Sequence, residues 1–167
     1  KLDSRPISRL RLRTAANFNT NEQKDINGKI SIDGIMLENA SGTHNIGNVE
    51  ISADLKDNIS RMKLKSSFLD GSFTGSASPI VFLEDLKAVT LNRDLPVFGE
   101  ADNTFSGNRY EMNFEFSDSR DLFSFLMPGL YIAEGSSFRL RLDSKGSATA
   151  RIKSQRIAYR DKFIKDV

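Results

Sequence analysis

The chain alternates apolar and polar positions with a period of two along most of its length. Tyr110, Met112, Phe114 and Phe116 alternate with Arg109, Glu111, Asn113 and Glu115. Phe138, Leu140 and Leu142 alternate with Arg139, Arg141 and Asp143, and Val49, Ile51, Ala53 and Leu55 with Glu50, Ser52 and Asp54. Met62 and Leu64 lie between Arg61, Lys63 and Lys65, and Leu10 and Leu12 between Arg9, Arg11 and Arg13. Successive strand side chains point to opposite faces, so each run predicts a strand with one apolar and one polar face. Residues 29–36, 147–153 and 156–163 predict further strands. Asn27-Gly28 after the polar stretch 19–25, Asp57-Asn58, and Ser144-Lys145-Gly146 read as turns. The Gly/Asn/Ser-rich stretch 37–47 reads as a loop. The apolar phase passes from even (Met62, Leu64, Phe68) to odd (Leu69, Phe73), which predicts a bulge or bend at Asp70-Gly71.

Two segments depart from this period. Residues 79–91 space Ile80, Leu83 and Leu86 as on a helix, with Ser78 and Pro79 as cap and first-turn residue. Residues 118–127 carry Leu122, Phe123, Phe125 and Leu126, with Asp118 as cap, Asp121 near the positive helix end, and Pro128-Gly129 as stop. The expected fold is therefore mostly β: one long antiparallel meander with two short inserted helices, and no linker dividing residues 1–167 into domains.

Composition narrows the function classes. At 38% hydrophobic and 28% charged residues the chain has the makings of a folded core. No apolar run reaches the roughly 18 residues of a membrane-spanning helix. The chain starts at Lys1 without Met, so a section of a longer protein is expected. It has no cysteine, which removes disulfides, thiolate metal sites and thiol catalysis. A balance of 24 basic and 22 acidic side chains is not that of a nucleic-acid-binding protein.

Candidate chemistry is sparse. His44 is the single histidine, so it has no second histidine for a metal pair and reads as a surface loop residue. There is no Gly-x-Ser-x-Gly elbow, phosphate loop or H-E-x-x-H pattern. Glu84/Asp85, Asp118/Asp121 and Glu111/Glu115 read as helix-end or outer-face acids. No cofactor and no catalysis are expected. The Arg9, Arg11 and Arg13 row reads as a solvated face that discourages edge pairing. The positive signal is the apolar faces, rich in phenylalanine: twelve Phe against three Tyr and no Trp. Val49, Ile51, Met62, Leu64, Met112, Phe114, Phe116, Phe138, Leu140 and Leu142 are expected on one inner face, with Arg61, Lys63, Arg139 and Arg141 outward. Such a face either closes as the core of a sandwich or stays open as a groove for acyl chains.

Three stretches resemble the TamB family of bacterial envelope proteins, particularly its Bacteroidetes form. The first joins Val49-Glu-Ile-Ser-Ala-Asp-Leu55 to Met62-Lys-Leu-Lys-Ser-Ser-Phe-Leu-Asp-Gly-Ser-Phe-Thr-Gly75: a strand, a turn, then a strand ending in Ser-x-Phe-x-Asp before a small-residue strand. The second, 110–135, runs from Phe114-Glu-Phe116 through a short helix with Leu122 and Phe125 to Met127-Pro-Gly-Leu130 and Ala133-Glu-Gly135-Ser136. The third is Ile152-Lys-Ser-Gln-Arg-Ile-Ala-Tyr159. The resemblance spans most of 28–167, and its motifs are degenerate.

It implies an open, taco-like trough with an apolar inner face, related to AsmA-like and bridge-like lipid-transfer proteins. It implies a periplasmic section of an inner-membrane-anchored protein. That protein would carry phospholipid acyl chains toward the outer membrane and support outer-membrane protein assembly with a barrel of the TamA type. No catalytic residue carries over. With the groove favoured on these grounds, residues 7–13 and 156–163 are the expected sheet edges. The C-terminal edge is expected to self-associate by strand addition.

Overall fold

Consecutive hairpins build the molecule, because short turns join strands whose apolar positions already share a parity. The computed structural model describes residues 7–20, 26–40, 42–91 and 105–167. The elements are β1 (Arg9–Thr20), β2 (Ile26–Asn39), β3 (Gly42–Lys56), β4 (Ile59–Ser66), β5 (Leu69–Gly75), α1 (Pro79–Leu91), β6 (Tyr110–Phe116), α2 (Arg120–Leu126), β7 (Leu130–Ile132), β8 (Ser137–Leu142), β9 (Ala148–Lys153), β10 (Arg156–Tyr159) and β11 (Lys162–Lys165). An eight-stranded antiparallel sheet has the order β1-β2-β3-β4-β5-β6-β8-β9, and a three-stranded sheet the order β11-β10-β7. The two are linked where β7 runs on to β8 and β9 to β10; at that bend Ser136 Oγ and Ser154 Oγ lie 2.6 Å apart, both buried.

The Asp57-Asn58 turn adopts the conformation that tight hairpins need, with φ of 52° and 59°, and joins Lys56 to its partner Ile59. Helix α1 begins where Ser78 and Pro79 predict, and Ser78 Oγ accepts from the Val81 N–H at 3.4 Å. Helix α2 starts later than expected. Ser119 is its N-cap, and Asp118 instead pairs with the Arg120 guanidinium, which holds the Asp118 carboxyl down at about 2.

Other expectations are corrected. Residues 37–39 and 42–47 are strand rather than loop: β2 continues to Asn39 and β3 starts at Gly42, and their pairing with each other overrides the polar composition, with register shifts near Ile35 absorbing the irregularity. The phase change after Leu64 is no bulge. The chain reverses at Ser67-Phe68, and Leu64 pairs with Gly71, an even residue with an odd one. The strand expected at 156–163 is the hairpin β10–β11, because Arg160 takes a positive φ of 56°. That conformation is uncommon for a non-glycine residue, and no Asn-Gly or Asp-Gly marks it.

Asn27-Gly28 is strand rather than turn; residues 21–25, the rest of that expected turn region, lie outside the described residues. Gly28 stands opposite Phe18, and a Cβ there would come within 2.2 Å of the Phe18 ring. Gly71 is roofed in the same way by Phe114, at 2.6 Å. An aromatic side chain laid over a cross-strand glycine covers the backbone that the glycine leaves bare. Gly71→Ala therefore gains strand propensity, roughly 0.5–1 kcal/mol, against an overpacking cost of about 1–3 kcal/mol. A net loss of about 1 kcal/mol is expected in urea unfolding; unchanged stability would show that Phe114 moves aside freely.

The sheet is open: among the described residues β1 and β9 do not pair with each other, and the sheet is neither closed nor curled. The wrapped, trough-like curvature is absent from this arrangement. Alternation specifies which face is apolar but not how far a sheet bends around it.

Candidate functional site

The pairing register carries the apolar face across the whole sheet. Directly opposed residues of antiparallel strands share a face. One line of opposed residues runs Ala16, Ile30, Ile51, Leu64, Gly71, Phe114, Phe138, Ile152. The adjacent line runs Phe18, Gly28, Ala53, Met62, Phe73, Met112, Leu140, Ala150. Neither contains a polar side chain from β1 to β9. At a strand spacing of roughly 4.8 Å each line is about 34 Å long, perpendicular to the strands. The opposite face carries Lys63, Ser72, Asn113, Arg139 and Arg151 in one line. Arg61, Lys63, Arg139 and Arg141 are exposed. Arg61 pairs with Asp54 at 3.3 Å and Arg141 with Glu111 at 3.2 Å. The Arg141 hydrogen bond is the main cause that holds the Glu111 carboxyl below its ordinary value.

The ten expected face residues fall into three environments. Leu142 is 1% exposed, sealed into a core with Phe73, Tyr110, Phe82 and Val89, and Met62, Met112 and Leu140 pack against that cluster. Phe116 lies toward α2, its ring 6.1 Å from that of Phe123. Val49, Ile51, Leu64, Phe114 and Phe138 are half-buried outside that core, and the Phe114 and Phe138 rings stack at 6.4 Å. An apolar cavity of about 240 Å³ opens between α1 and the sheet, lined by Ile51, Met62, Leu64, Met112 and Phe114 from the sheet and Phe82 and Leu83 from the helix.

Helix α1 does not bury the side that its spacing suggests. Ile80 and Leu83 are 72% and 55% exposed, while Phe82, Asp85, Ala88 and Val89 are buried. The helix is apolar on most sides, so periodicity alone leaves its orientation open. Asp85, expected at a helix end or on an outer face, is 3% exposed. It accepts from Tyr110 Oη at 2.7 Å, from Ser106 through its backbone N–H at 2.9 Å and hydroxyl at 2.6 Å, and from Asn108 Nδ2 at 3.2 Å. Burial alone would raise its pKa, but the hydrogen bonds outweigh it and hold the carboxyl below its ordinary value. Burial and the neighbouring Asp85 charge push the Tyr110 hydroxyl well up. A signal existed in the sequence: Asp85 falls in the helical stripe Phe82, Asp85, Leu86, Val89.

His44 lies on β3 rather than in a loop. Its Nδ1 is 3.1 Å from Ser124 Oγ, and its ring meets Phe125 edge-on at 5.6 Å. Among the described residues no three His, Asp or Glu side chains gather as metal ligands, and no helix is long and apolar enough to cross a membrane.

No protein-family model, curated protein or solved structure matches this chain.

Proposed function

We propose that this chain is a section of a periplasmic β-groove protein of the TamB type, which shields phospholipid acyl chains on their way between inner and outer membranes. The observation that carries this reading is the pair of unbroken apolar lines across eight strands, exposed at Phe18 (58%) and Ile152 (50%) at the two edges. They run in the direction in which further strands would add. In this reading the face is one wall of a trough that curls in the longer assembly. Acyl chains need no residue-specific polar partner. They gain about 0.8 kcal/mol per buried CH₂, and Met62 and Met112 adapt to irregular contacts. Exposed Leu83, in the lining of the cavity, widens the apolar surface. The role is non-catalytic and without cofactor. Contact with a TamA-type barrel would fall to other regions of the protein.

The rival is a structural or adhesive sandwich with a closed core. It would need a second sheet on this face, whereas the elements packed against the large sheet among the described residues include α1 and the segment leading into β6, and α2 beside Phe116 and His44. Native mass spectrometry of the purified chain is expected to find phospholipid bound and lost on delipidation. A chain that neither retains phospholipid nor takes it from vesicles would overturn the proposal.

A further inference from the structure

Helix α1 meets the sheet unevenly. Phe82 and Val89 are sealed against Phe73, Tyr110 and Leu142, whereas the neighbouring Leu83 is 55% exposed. The cavity of about 240 Å³ lies where Leu83 and Phe82 overhang the sheet. Its floor follows one line of opposed residues, Ile51, Leu64, Gly71 and Phe114 on β3 to β6, with Met62 and Met112 from the next line. Lys63 and Ser72 also border it, but they are opposed on the polar lines, so their side chains belong to the other face of the sheet.

Hydrogen bonds hold this slot open. Strand β5 gives only Gly71 to the floor line, and its next apolar residue, Phe73, is drawn into the core. The helix does not settle into the gap, because its height above the sheet is fixed at two points. Just before it, the Ser76 N–H donates to the Arg109 carbonyl at 3.0 Å, and Ser76 Oγ accepts from the Arg109 N–H at 2.9 Å. Farther along, Asp85 accepts from Tyr110, Ser106 and Asn108. These bonds are directional, and lowering the helix would break them. The slot is therefore pre-formed. Its walls give water no side-chain partner, so an apolar guest is preferred to water.

Dimensions select the guest. Four strands at a spacing of roughly 4.8 Å make the floor about 14 Å long. Spread along that length, the cavity of about 240 Å³ has a mean cross-section of about 17 Å². A polymethylene chain packed at the roughly 4 Å contact distance between carbons fills about 16 Å². A polypeptide strand, roughly 4.8 Å wide in a layer roughly 10 Å thick, needs about 48 Å² and does not enter.

We infer that this slot seats one unbranched alkyl chain, lying across β3 to β6 beneath Phe82 and Leu83, and that it discriminates against methyl-branched chains. The inference deepens the acyl-chain reading of the apolar face and rests on it. The face carries lipid generally, and the slot selects a straight tail.

The four methionines supply the readout, because Met62 and Met112 line the slot and Met36 and Met127 do not. The full chain, isotope-labelled at the methionine methyls, is mixed with monomeric hexadecylphosphocholine. Nuclear Overhauser contacts from the alkyl protons are expected at Met62 and Met112 and not at Met36 or Met127. Phytanyl phosphocholine has the same headgroup and a methyl-branched tail, and is expected to bind about tenfold more weakly, since one surplus methyl group in an apolar pocket costs that much. Leu64→Phe narrows the floor outside the core and is expected to weaken hexadecylphosphocholine binding about tenfold. Leu83→Asp changes an exposed helix position, so it spares the fold, and its charge on the rim is expected to weaken binding as well. Equal binding of the two tails, contacts spread over all four methionines, or unaltered binding in both variants would each overturn the slot. Phospholipid uptake from phosphatidylethanolamine–phosphatidylglycerol vesicles would then still uphold the apolar face as a general acyl-chain surface. No uptake from those vesicles and no binding of either probe would overturn both.

Discussion

Asp85→Ala is expected to loosen α1 from the sheet and to cost about 3 kcal/mol of stability, read as a lower urea midpoint. The carboxylate is the common acceptor for Tyr110, Ser106 and Asn108, and it is 3% exposed. Hydrogen bonds to a charged group contribute about 1.5–3 kcal/mol each, and buried donors left without an acceptor cost a similar amount. Some of the freed donors reach water, so the sum is not additive. Tyr110→Phe removes one bond and is expected to cost about 1.5 kcal/mol. The pH dependence has a definite sign. The folded-state carboxyl lies below its ordinary 3.8, so this contribution is fully present above that pH and declines as the pH falls below it. The native chain should lose stability there more steeply than Asp85→Ala. Equal acid sensitivity of the two chains would show that the carboxylate does not anchor the helix.

Phe114→Asp is expected to reduce phospholipid uptake from labelled vesicles by about 100-fold or more while leaving the strands in place. Phe114 is half-buried, stacks on Phe138 and lines the apolar cavity, and it lies outside the core beneath α1. An ionised carboxylate among acyl chains has no partner, and its uncompensated burial costs several kcal/mol. About 2.8 kcal/mol of that already corresponds to 100-fold in affinity. Phe114→Leu keeps an apolar lining and should bind close to normally. Leu142→Asp is the contrasting variant: Leu142 is 1% exposed, and a charge there should unfold the chain rather than block a ligand. If Phe114→Asp takes up phospholipid as well as the native chain, the apolar face is not the acyl-chain surface.

Several elements were legible because one local rule specified them. Ser78-Pro79 set the start of α1, Asp57-Asn58 made its hairpin, and the alternation at Tyr110–Phe116 produced β6 with its apolar parity intact. Other elements were not legible, because the deciding partner is distant in sequence. Residues 37–47 look like a loop until β2 and β3 pair with each other, with β1 beside Leu37 and Glu38. The division of the apolar face depended on where α1 lands. Asp85 became a buried anchor only because Ser106, Asn108 and Tyr110 arrive from the far side of a long connection.

Taken by itself, the sequence determined the secondary-structure class, the meander order and the apolar parity of each strand, since a period of two is a property of neighbouring residues. Tertiary structure alone decided that these parities align into two unbroken lines, that aromatic rings lie over glycines at Gly28 and Gly71, and that β9 rather than β10 forms the sheet edge. Those outcomes depend on register and on the bend at Ser136 and Ser154. Both are set by pairing energies between residues that no local pattern relates.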